Sequence, residues 1–253
     1  MNTESTSPSP AERDRLFAER QAVVSDFNFG SRTATVFDDM LVRSVPFYLE
    51  TQRMLGELAA EFAVPDTNIY DLGCSTCTTF LNFHSFLPSE SSYKLIGMDF
   101  SEPMLAQARQ KLDEHKFPRP VELQVGDLNK GLEISDASVV VMNLTLQFVR
   151  PLHRSRLINE IYSGMREGGV LLLVEKVLGE CSLTNRLFIK NYYQFKQRNG
   201  YSELEISQKR EALENVLIPY HVQENYDLLR REGFAQVDTF FKWYNFCGIL
   251  AIK

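Results

Sequence analysis

The amino-acid sequence predicts an α/β fold, built on a doubly wound and mostly parallel seven-stranded sheet that ends in an antiparallel hairpin. Three observations predict it. Short apolar runs alternate with amphipathic helical segments between residues 69 and 175, as in parallel βαβ units. The strand pattern then stops, and residues 180–220 indicate a helical insertion after the fifth strand. The last two apolar runs, 234–243 and 246–252, are too close together for a crossover helix, so they pair as a hairpin.

The chain before the sheet is predicted to hold a tail and two helical regions. Residues 1–12 are rich in Ser, Thr and Pro and bury little apolar surface, which predicts a flexible tail ahead of a single domain over 13–253. A first helical region is predicted from Ala11. A second helix is predicted to begin near Ser44, which can cap it, with Pro46 in its first turn.

Strands and helices then alternate along the chain. The predicted strands cover residues 69–72, 94–99, 121–125, 138–143 and 170–175. The clearest helices cover residues 102–115, 154–165, 185–196, 202–213 and 222–231. Because parallel strands need right-handed crossover connections, these helices are expected to cover both faces of the sheet.

Composition argues against several classes of function. The net charge of −6 and the pI of about 5.4 have the wrong sign for displacing counterions from phosphates, so we expect no stable nucleic-acid complex. No apolar run approaches the ~20 residues that span a bilayer, and the start lacks a signal peptide, so we expect a cytoplasmic protein without a membrane segment. Cys74 and Cys77 form a C-x-x-C motif, but one such pair is half of a zinc site, so no metal is expected.

Polar residues stand at the ends of four consecutive predicted strands. The turn Asp71-Leu72-Gly73-Cys74-Ser75 follows the first, Asp99 closes the second, and Asp127 and Asn143 follow the next two. Ligands of open α/β sheets bind at the carboxyl ends of the strands, where Gly73 would let the backbone approach a ligand. Asp99 would accept both ribose hydroxyls of a nucleoside, and Asp127 would reach an adenine amino group. Singly, each could be a cap or turn residue, but together they predict a nucleoside site.

This order resembles the class-I S-adenosylmethionine-dependent methyltransferase fold over about residues 65–253. Dinucleotide binding is the weaker alternative, because the turn lacks the full G-x-G-x-x-G motif. Less generic runs resemble the carboxy-S-adenosyl-L-methionine synthase family, so that the similarity covers nearly everything after the tail. These runs are DMLVRSVP (39–46), VMNLTLQF (141–148), RNGYSELEISQKR (198–210), LENV (213–216) and WYNF (243–246).

The resemblance implies a particular reaction. An enzyme of this family takes S-adenosyl-L-methionine and prephenate and makes carboxy-S-adenosyl-L-methionine and phenylpyruvate, through a sulfonium ylide that captures the carbon dioxide released from prephenate. The product then serves a separate enzyme that modifies the wobble uridine of tRNA. The resemblance also suggests a homodimer.

The resemblance also assigns roles to individual residues. It implies cofactor binding by Tyr48, Gly73, Cys74, Ser75, Asp99, Phe100, Asp127, Leu128 and Asn143. It implies that Arg210 is catalytic and binds the added carboxylate, which a planar guanidinium can grip through two charge-assisted hydrogen bonds. The alternative for Arg210 is a surface position paired with Glu214 one turn later.

Two residues beside the expected cofactor depart from the family pattern. Cys77 replaces a glycine after the turn, and because only glycine is free of a penalty at positive φ, its side chain is expected to lower affinity or reshape the pocket. Phe100 replaces an asparagine after Asp99 and could stack on adenine.

Two alternative functions stay open on the sequence alone. An ordinary S-adenosyl-L-methionine-dependent methyltransferase of a small molecule fits the generic fold and the altered turn. A binding or scaffold protein with a relict cofactor site would follow from Cys77. No general base is assigned, because no histidine lies in a recognisable motif: His84, His115, His153 and His221.

Overall fold

The computed structural model describes residues 13–88 and 91–253, and the predicted tail over 1–12 lies outside them. The strands are β1 (Thr67–Leu72), β2 (Tyr93–Asp99), β3 (Val121–Val125), β4 (Ala137–Asn143), β5 (Met165–Leu178), β6 (Tyr220–His221), β7 (Gln236–Trp243) and β8 (Phe246–Ile252). The helices are α1 (Ser31–Ala34), α2 (Phe37–Ser44), α3 (Tyr48–Phe62), α4 (Thr78–Phe83), α5 (Glu102–Glu114), α6 (Pro151–Gly164), α7 (Ser182–Arg198), α8 (Glu203–Leu213) and α9 (Val222–Arg231). A short 3-10 helix covers Leu146–Phe148.

The main sheet has the strand order β3-β2-β1-β4-β5-β8-β7, with β1 to β5 parallel to one another. β8 runs antiparallel to both β5 and β7, which confirms the predicted C-terminal hairpin. The sequence missed β6, an eighth strand that pairs with β5 at Val177 and Leu178. α7 and α8 form the predicted insertion after β5. Because the order reverses between β1 and β4, the carboxyl ends of these two strands flank the crevice where such sheets bind ligands.

The central strand β4 is buried on both faces. Val139 and Val141 belong to the apolar cluster that includes residues of α5, whereas Val140 and Met142 belong to the cluster that includes residues of α6. Successive side chains of a strand point to opposite faces, so this split places one helical layer on each face. The doubly wound architecture predicted from the sequence is confirmed.

The prediction of a helix from Ala11 is wrong for the described part of that segment. Residues 13–30, called the strap below, are irregular. The amide nitrogen Nε2 of Gln208 on α8 donates hydrogen bonds to the carbonyl oxygens of Phe17 and Glu19, both at 2.9 Å. These two carbonyl groups of the strap thus have a hydrogen-bond partner on α8 rather than within a helix.

The predicted helix start at Ser44 is also wrong. Ser44 is the last residue of α2, and its hydroxyl donates to the carbonyl oxygen of Met40 one turn earlier. α3 begins only at Tyr48, after Phe47 turns the chain through a left-handed conformation with φ of 54°. Serine can bond to the preceding turn of a helix as well as cap a new one, so its identity alone did not fix the boundary.

Candidate functional site

A cavity lies at the carboxyl ends of β1 to β4, where the strand order reverses. Every residue predicted to bind the cofactor lines this cavity except Arg210: Tyr48, Gly73, Cys74, Ser75, Asp99, Phe100, Asp127, Leu128 and Asn143. The strap, α2 and α8 supply the facing walls. The fold thus brings together the polar residues that the sequence distributes over four strand ends.

The turn after β1 is shaped by its close approach to neighbouring chain. Gly73 has φ of +80°, and a Cβ atom there would lie 2.4 Å from the side-chain oxygen of Thr145. The N–H of Gly73 donates to the carbonyl oxygen of Met98 on β2 at 2.7 Å. The N–H of Ser75 donates to carboxylate oxygen Oδ2 of Asp99 at 3.0 Å. Both the conformation and the packing therefore require glycine at position 73.

Asp99 is held by the backbone and still has room for a ligand. It is 7% exposed, and its Oδ1 accepts from the N–H of Ser101 at 2.9 Å while Oδ2 accepts from Ser75. Burial raises the pKa of Asp99, and these backbone hydrogen bonds oppose the rise. An ionised carboxylate offers about four acceptor positions, so two stay available for a pair of ligand hydroxyls.

Asp71, at the start of the same turn, is a buried carboxyl group without a hydrogen-bond partner among the described residues. It is 1% exposed, and neither carboxylate oxygen has a hydrogen bond within the described ranges. Burial, together with the negative charge of Asp99, raises the pKa of Asp71 to about 7. The base of the turn thus carries a carboxyl group that gains a proton near neutral pH.

An aromatic wall borders the cavity beside Asp99. The ring of Phe29 in the strap makes edge contacts with Phe100, at 5.7 Å between centroids, and with Phe148, at 5.2 Å. Phe100 is 59% exposed and lines the cavity. Sequence reasoning missed Phe29 and Phe148, although two phenylalanines in the polar loop 26–30 were a signal of buried contact. An exposed ring on this wall can stack on a purine.

Asp127 follows β3 and lines the cavity. Its Oδ1 accepts from the backbone and side-chain nitrogens of Asn129, each at 3.0 Å. Burial disfavours its charge, but the Asn129 hydrogen bonds and the Lys130 charge outweigh burial, and the pKa of Asp127 is lowered. Asp127 therefore offers an ionised acceptor to an amino group.

Tyr48 reaches the cavity from the start of α3. Its side chain is buried, and its hydroxyl accepts a hydrogen bond from Nε2 of Gln52 at 2.9 Å. Burial, with the charge of Asp38, raises the pKa of Tyr48. The hydroxyl is therefore a neutral donor for a ligand.

Cys77 does not line the cavity. Its backbone is left-handed, with φ of 60°, and its side chain is 0% exposed and packs against Cys74 and Phe80 in the core. The expectation that this side chain intrudes on the cofactor site is therefore not met. The backbone keeps the conformation that favours glycine, while the sulfur points into apolar packing.

Arg210 is the predicted site residue that the fold does not bring to the cavity. It is exposed on α8, and the adjacent Lys209 lines the cavity instead, together with Lys176 of β5. No ion pair joins Arg210 to Glu214 in the described part of the chain. Sequence reasoning missed both lysines because lysine is usually a surface residue. The helical spacing of Lys209 from buried Ile206 was the available signal.

These features fit a purine nucleoside. Asp99 can accept ribose hydroxyls, the aromatic wall can hold the base, and Asp127 can accept from its amino group. The remaining lining is largely apolar, which is typical of small-molecule sites that use a few polar groups for orientation. Within residues 13–88 and 91–253, no cluster of three or more His, Cys, Asp or Glu side chains is arranged to hold a metal ion. No helix among these residues has the length and apolar character needed to span a bilayer.

Comparison with known proteins agrees with this geometry. A methyltransferase domain family matches residues 69–169. A solved structure from Methanococcus maripaludis, described as an S-adenosyl-L-methionine-dependent methyltransferase, has a TM-score of 0.60 at 15% identity, covering 92% of this chain and 97% of that one. Human N-acetylserotonin methyltransferase in complex with SAM has a TM-score of 0.56 at 17% identity, covering 88% of this chain and 55% of that one. At these identities the two structures show the fold alone.

Sequence relatives are far more similar. The carboxy-S-adenosyl-L-methionine synthase of Methylococcus capsulatus is 56% identical over 241 residues, which cover 95% of this chain and 99% of that protein. The enzyme of the same name from Desulfotalea psychrophila is 42% identical, covering 96% of this chain and 98% of that protein. Similarity of this degree and extent means that the chain belongs to the carboxy-S-adenosyl-L-methionine synthase family, built on the S-adenosyl-L-methionine-dependent methyltransferase fold.

Proposed function

We propose that this chain converts S-adenosyl-L-methionine and prephenate to carboxy-S-adenosyl-L-methionine and phenylpyruvate. The observation that carries the proposal is the near full-length similarity to carboxy-S-adenosyl-L-methionine synthases. The polar groups at the strand ends of this chain line one cavity, where they can bind a nucleoside. The carbon dioxide that prephenate loses becomes the new carboxyl group of the cofactor.

Different cavity residues bind different parts of the cofactor. In this proposal Asp99 accepts the two ribose hydroxyls, Phe100 stacks on adenine and Asp127 accepts from the adenine amino group. Tyr48 and the turn at Ser75 contact the methionine portion. When bound, S-adenosyl-L-methionine supplies a sulfonium that stabilises negative charge on its methyl carbon.

The walls of the cavity protect that chemistry from water. Phe29 and Phe37 near the amino terminus, and Leu213 on α8, line the space above the strand ends with apolar surface. Exclusion of water from a site of this kind strengthens its electrostatic interactions and prevents side reactions of carbanionic carbon. The protein therefore contributes positioning and a dry environment.

Several further properties belong to the same proposal. The product serves a separate enzyme that carboxymethylates the wobble uridine of tRNA, and this chain forms no stable nucleic-acid complex itself. We place the reaction in the cytoplasm and the enzyme in a homodimer. The support for these properties is the family resemblance and, for nucleic acid, the net charge of −6.

Product analysis tests the reaction. We expect purified protein incubated with S-adenosyl-L-methionine and prephenate to yield carboxy-S-adenosyl-L-methionine and phenylpyruvate in equal amounts, measured by mass spectrometry. Omission of prephenate is the control. Recovery of unmodified cofactor from the complete mixture would refute the proposal.

One observation favours a second candidate, plain methyl transfer to a small molecule. Arg210 is exposed and lies outside the cavity, and methyl transfer needs no arginine for an added carboxylate. Under that candidate the protein forms S-adenosylhomocysteine with an acceptor, and Arg210→Ala keeps turnover within about twofold. Loss of carboxylated product in Arg210→Ala, at unchanged cofactor affinity, would instead support the carboxylate role that the resemblance implies.

A further inference from the structure

Three lysines from three elements meet beside the cavity. Lys176 of β5 and Lys209 of α8 line it, and buried Lys196 of α7 lies behind them. The Nζ atoms of Lys176 and Lys196 lie 5.2 and 5.0 Å from the centre of the Tyr192 ring. Tyr192 itself lines the cavity. The side-chain nitrogens of Lys176 and Lys196 thus both lie close to one aromatic ring at the edge of the candidate site.

These cations have few acidic partners. Asp14 of the strap lies 3.8 Å from Nζ of Lys209, beyond hydrogen-bond distance. Lys209 is 6% exposed, and its Nζ makes no hydrogen bond to any described residue. Across residues 13–88 and 91–253, no ion pair joins Lys176 or Lys196 to an acidic side chain. The cluster therefore carries more positive than negative charge.

Burial of this excess charge is unfavourable. Burial lowers the pKa of Lys176 to about 8, and it lowers the pKa of Lys209 to about 8 although Asp14 opposes the shift. The pKa of Lys196 falls well below its ordinary value because of burial and then because of the charges of Lys209 and Lys176. An anion placed in the cavity would relieve both the desolvation and the mutual repulsion.

We propose that Lys176 and Lys209 form a carboxylate-binding subsite in the cavity, with Lys196 as a positioning residue behind them. The subsite binds a carboxylate that unmodified S-adenosyl-L-methionine does not have. For the identity of its ligands this inference rests on the proposed function, which supplies two sources: a carboxylate of prephenate and the added carboxyl group of the product. A carboxylate has two oxygens, and each can accept hydrogen bonds from an ammonium group.

Direct binding without turnover tests the subsite. Isothermal titration calorimetry would compare wild type with Lys209→Met and Lys176→Met, which keep the length of the side chain and remove its charge. Lys190→Met, at an exposed position of α7, is the control for the change in net charge. The ligands are S-adenosylhomocysteine, carboxy-S-adenosyl-L-methionine, and prephenate added to protein saturated with S-adenosylhomocysteine.

We expect each site variant to bind at least one of the two carboxylated ligands about tenfold to a hundredfold more weakly, as for loss of a charged hydrogen bond. S-adenosylhomocysteine should keep its affinity within about twofold. Loss for prephenate alone identifies the co-substrate carboxylate as the ligand, and loss for carboxy-S-adenosyl-L-methionine alone identifies the added carboxyl group. Lys190→Met should match wild type throughout.

Two results would overturn the inference. Unchanged affinities for both carboxylated ligands would mean that the lysines are structural. Equal weakening of all three ligands would mean that the subsite binds the cofactor's own carboxylate, or that the cavity has collapsed, which thermal denaturation of each variant would reveal. Lys176→Met is the informative variant if Lys209→Met fails to fold, because Lys176 has no described ion pair to lose.

The inference and the proposed function can fail separately. If wild type forms carboxy-S-adenosyl-L-methionine and both site variants bind every ligand as wild type does, only the subsite is wrong. If wild type forms none, yet binds a carboxylated ligand through these lysines, only the proposed reaction is wrong. If wild type binds neither of the two carboxylated ligands, the subsite is contradicted.

Discussion

At the scale of single residues, the candidate site contains two acidic side chains, Asp99 and Asp71, whose surroundings differ. Asp99 is fixed by two backbone N–H groups, whereas Asp71 has no hydrogen-bond partner in the described structure. The first keeps acceptor positions free for a ligand, and the second carries a raised pKa. Burial raises the pKa of both carboxyl groups; backbone hydrogen bonds oppose the rise at Asp99, whereas the charge of Asp99 adds to it at Asp71.

Asp99→Asn tests the ribose assignment. We expect its affinity for S-adenosylhomocysteine to fall about tenfold to a hundredfold, because the amide loses one acceptor oxygen and the charge that strengthens the remaining hydrogen bonds. Calorimetry measures the affinity, and Asp113→Asn, exposed on α5, is the matched control. Binding within about twofold of wild type would contradict the assignment.

At the scale of elements, the orientation of α8 determines which of its cationic side chains lines the cavity. Adjacent residues of a helix point about 100° apart, so Lys209 faces the cavity while Arg210 faces outward. Motif resemblance fixes a position along the chain but not the rotation of the helix against the sheet. That rotation follows from packing of Ile206 and Ala212, which are buried. In this single chain Lys209 lines the cavity and Arg210 does not, and the carboxylate role of Arg210 stays a prediction.

The strap offers a prediction at the same scale. In Gln208→Ala the strap loses hydrogen bonds to the carbonyl oxygens of Phe17 and Glu19, and a third from the N–H of Gln21 to Oε1 of Gln208 at 2.7 Å. At about 1 kcal/mol each, their loss should speed hydrogen exchange of the Gln21 amide, whose N–H loses its acceptor, by tenfold or more.

The matched control for the strap is Ser207→Ala, an exposed neighbour on the same helix. We expect it to leave exchange in residues 17–21 unchanged. Exchange in α8 itself should stay close to wild type in both variants. If Gln208→Ala accelerates exchange throughout α8 rather than in the strap, the strap is not held by this side chain.

At the scale of the whole molecule, the sequence predicted the sheet and its ligand edge because the signals are local and repeated. Buried strands leave continuous apolar runs, and the residues at their carboxyl ends come together in any parallel sheet. Contacts between distant segments left no such signal. The hydrogen bonds from Gln208 to the strap depend on how the insertion after β5 packs. So does the position of Lys209 beside Lys176 in the cavity lining. No local sequence pattern predicts this packing.

Global stability should depend on pH through Asp71. A carboxyl group whose pKa is higher in the folded state, here raised from 3.8 to about 7, binds more protons when folded than when unfolded. The free energy of unfolding therefore falls as pH rises from about 4 to about 7, by on the order of 4 kcal/mol from this group. Above that range the penalty is complete.

Asp71→Asn should remove this pH dependence, because its amide stays neutral. We expect the difference in free energy of unfolding between variant and wild type to grow in favour of the variant between pH 5 and pH 8. Urea denaturation of cofactor-free protein measures it. Glu175, whose pKa burial raises to about 8, is present in both proteins and cancels. A difference that is constant with pH would contradict the prediction.

The left-handed backbone at Cys77 has a consequence for recognising relatives. A non-glycine residue in this conformation costs about 1–2 kcal/mol, which burial of a small thiol in apolar surroundings can offset. The turn thus requires a particular pair of φ and ψ angles. Glycine can adopt them, and so can a residue whose small side chain points into the core. A motif search that insists on glycine here would discard chains whose cofactor pocket is intact.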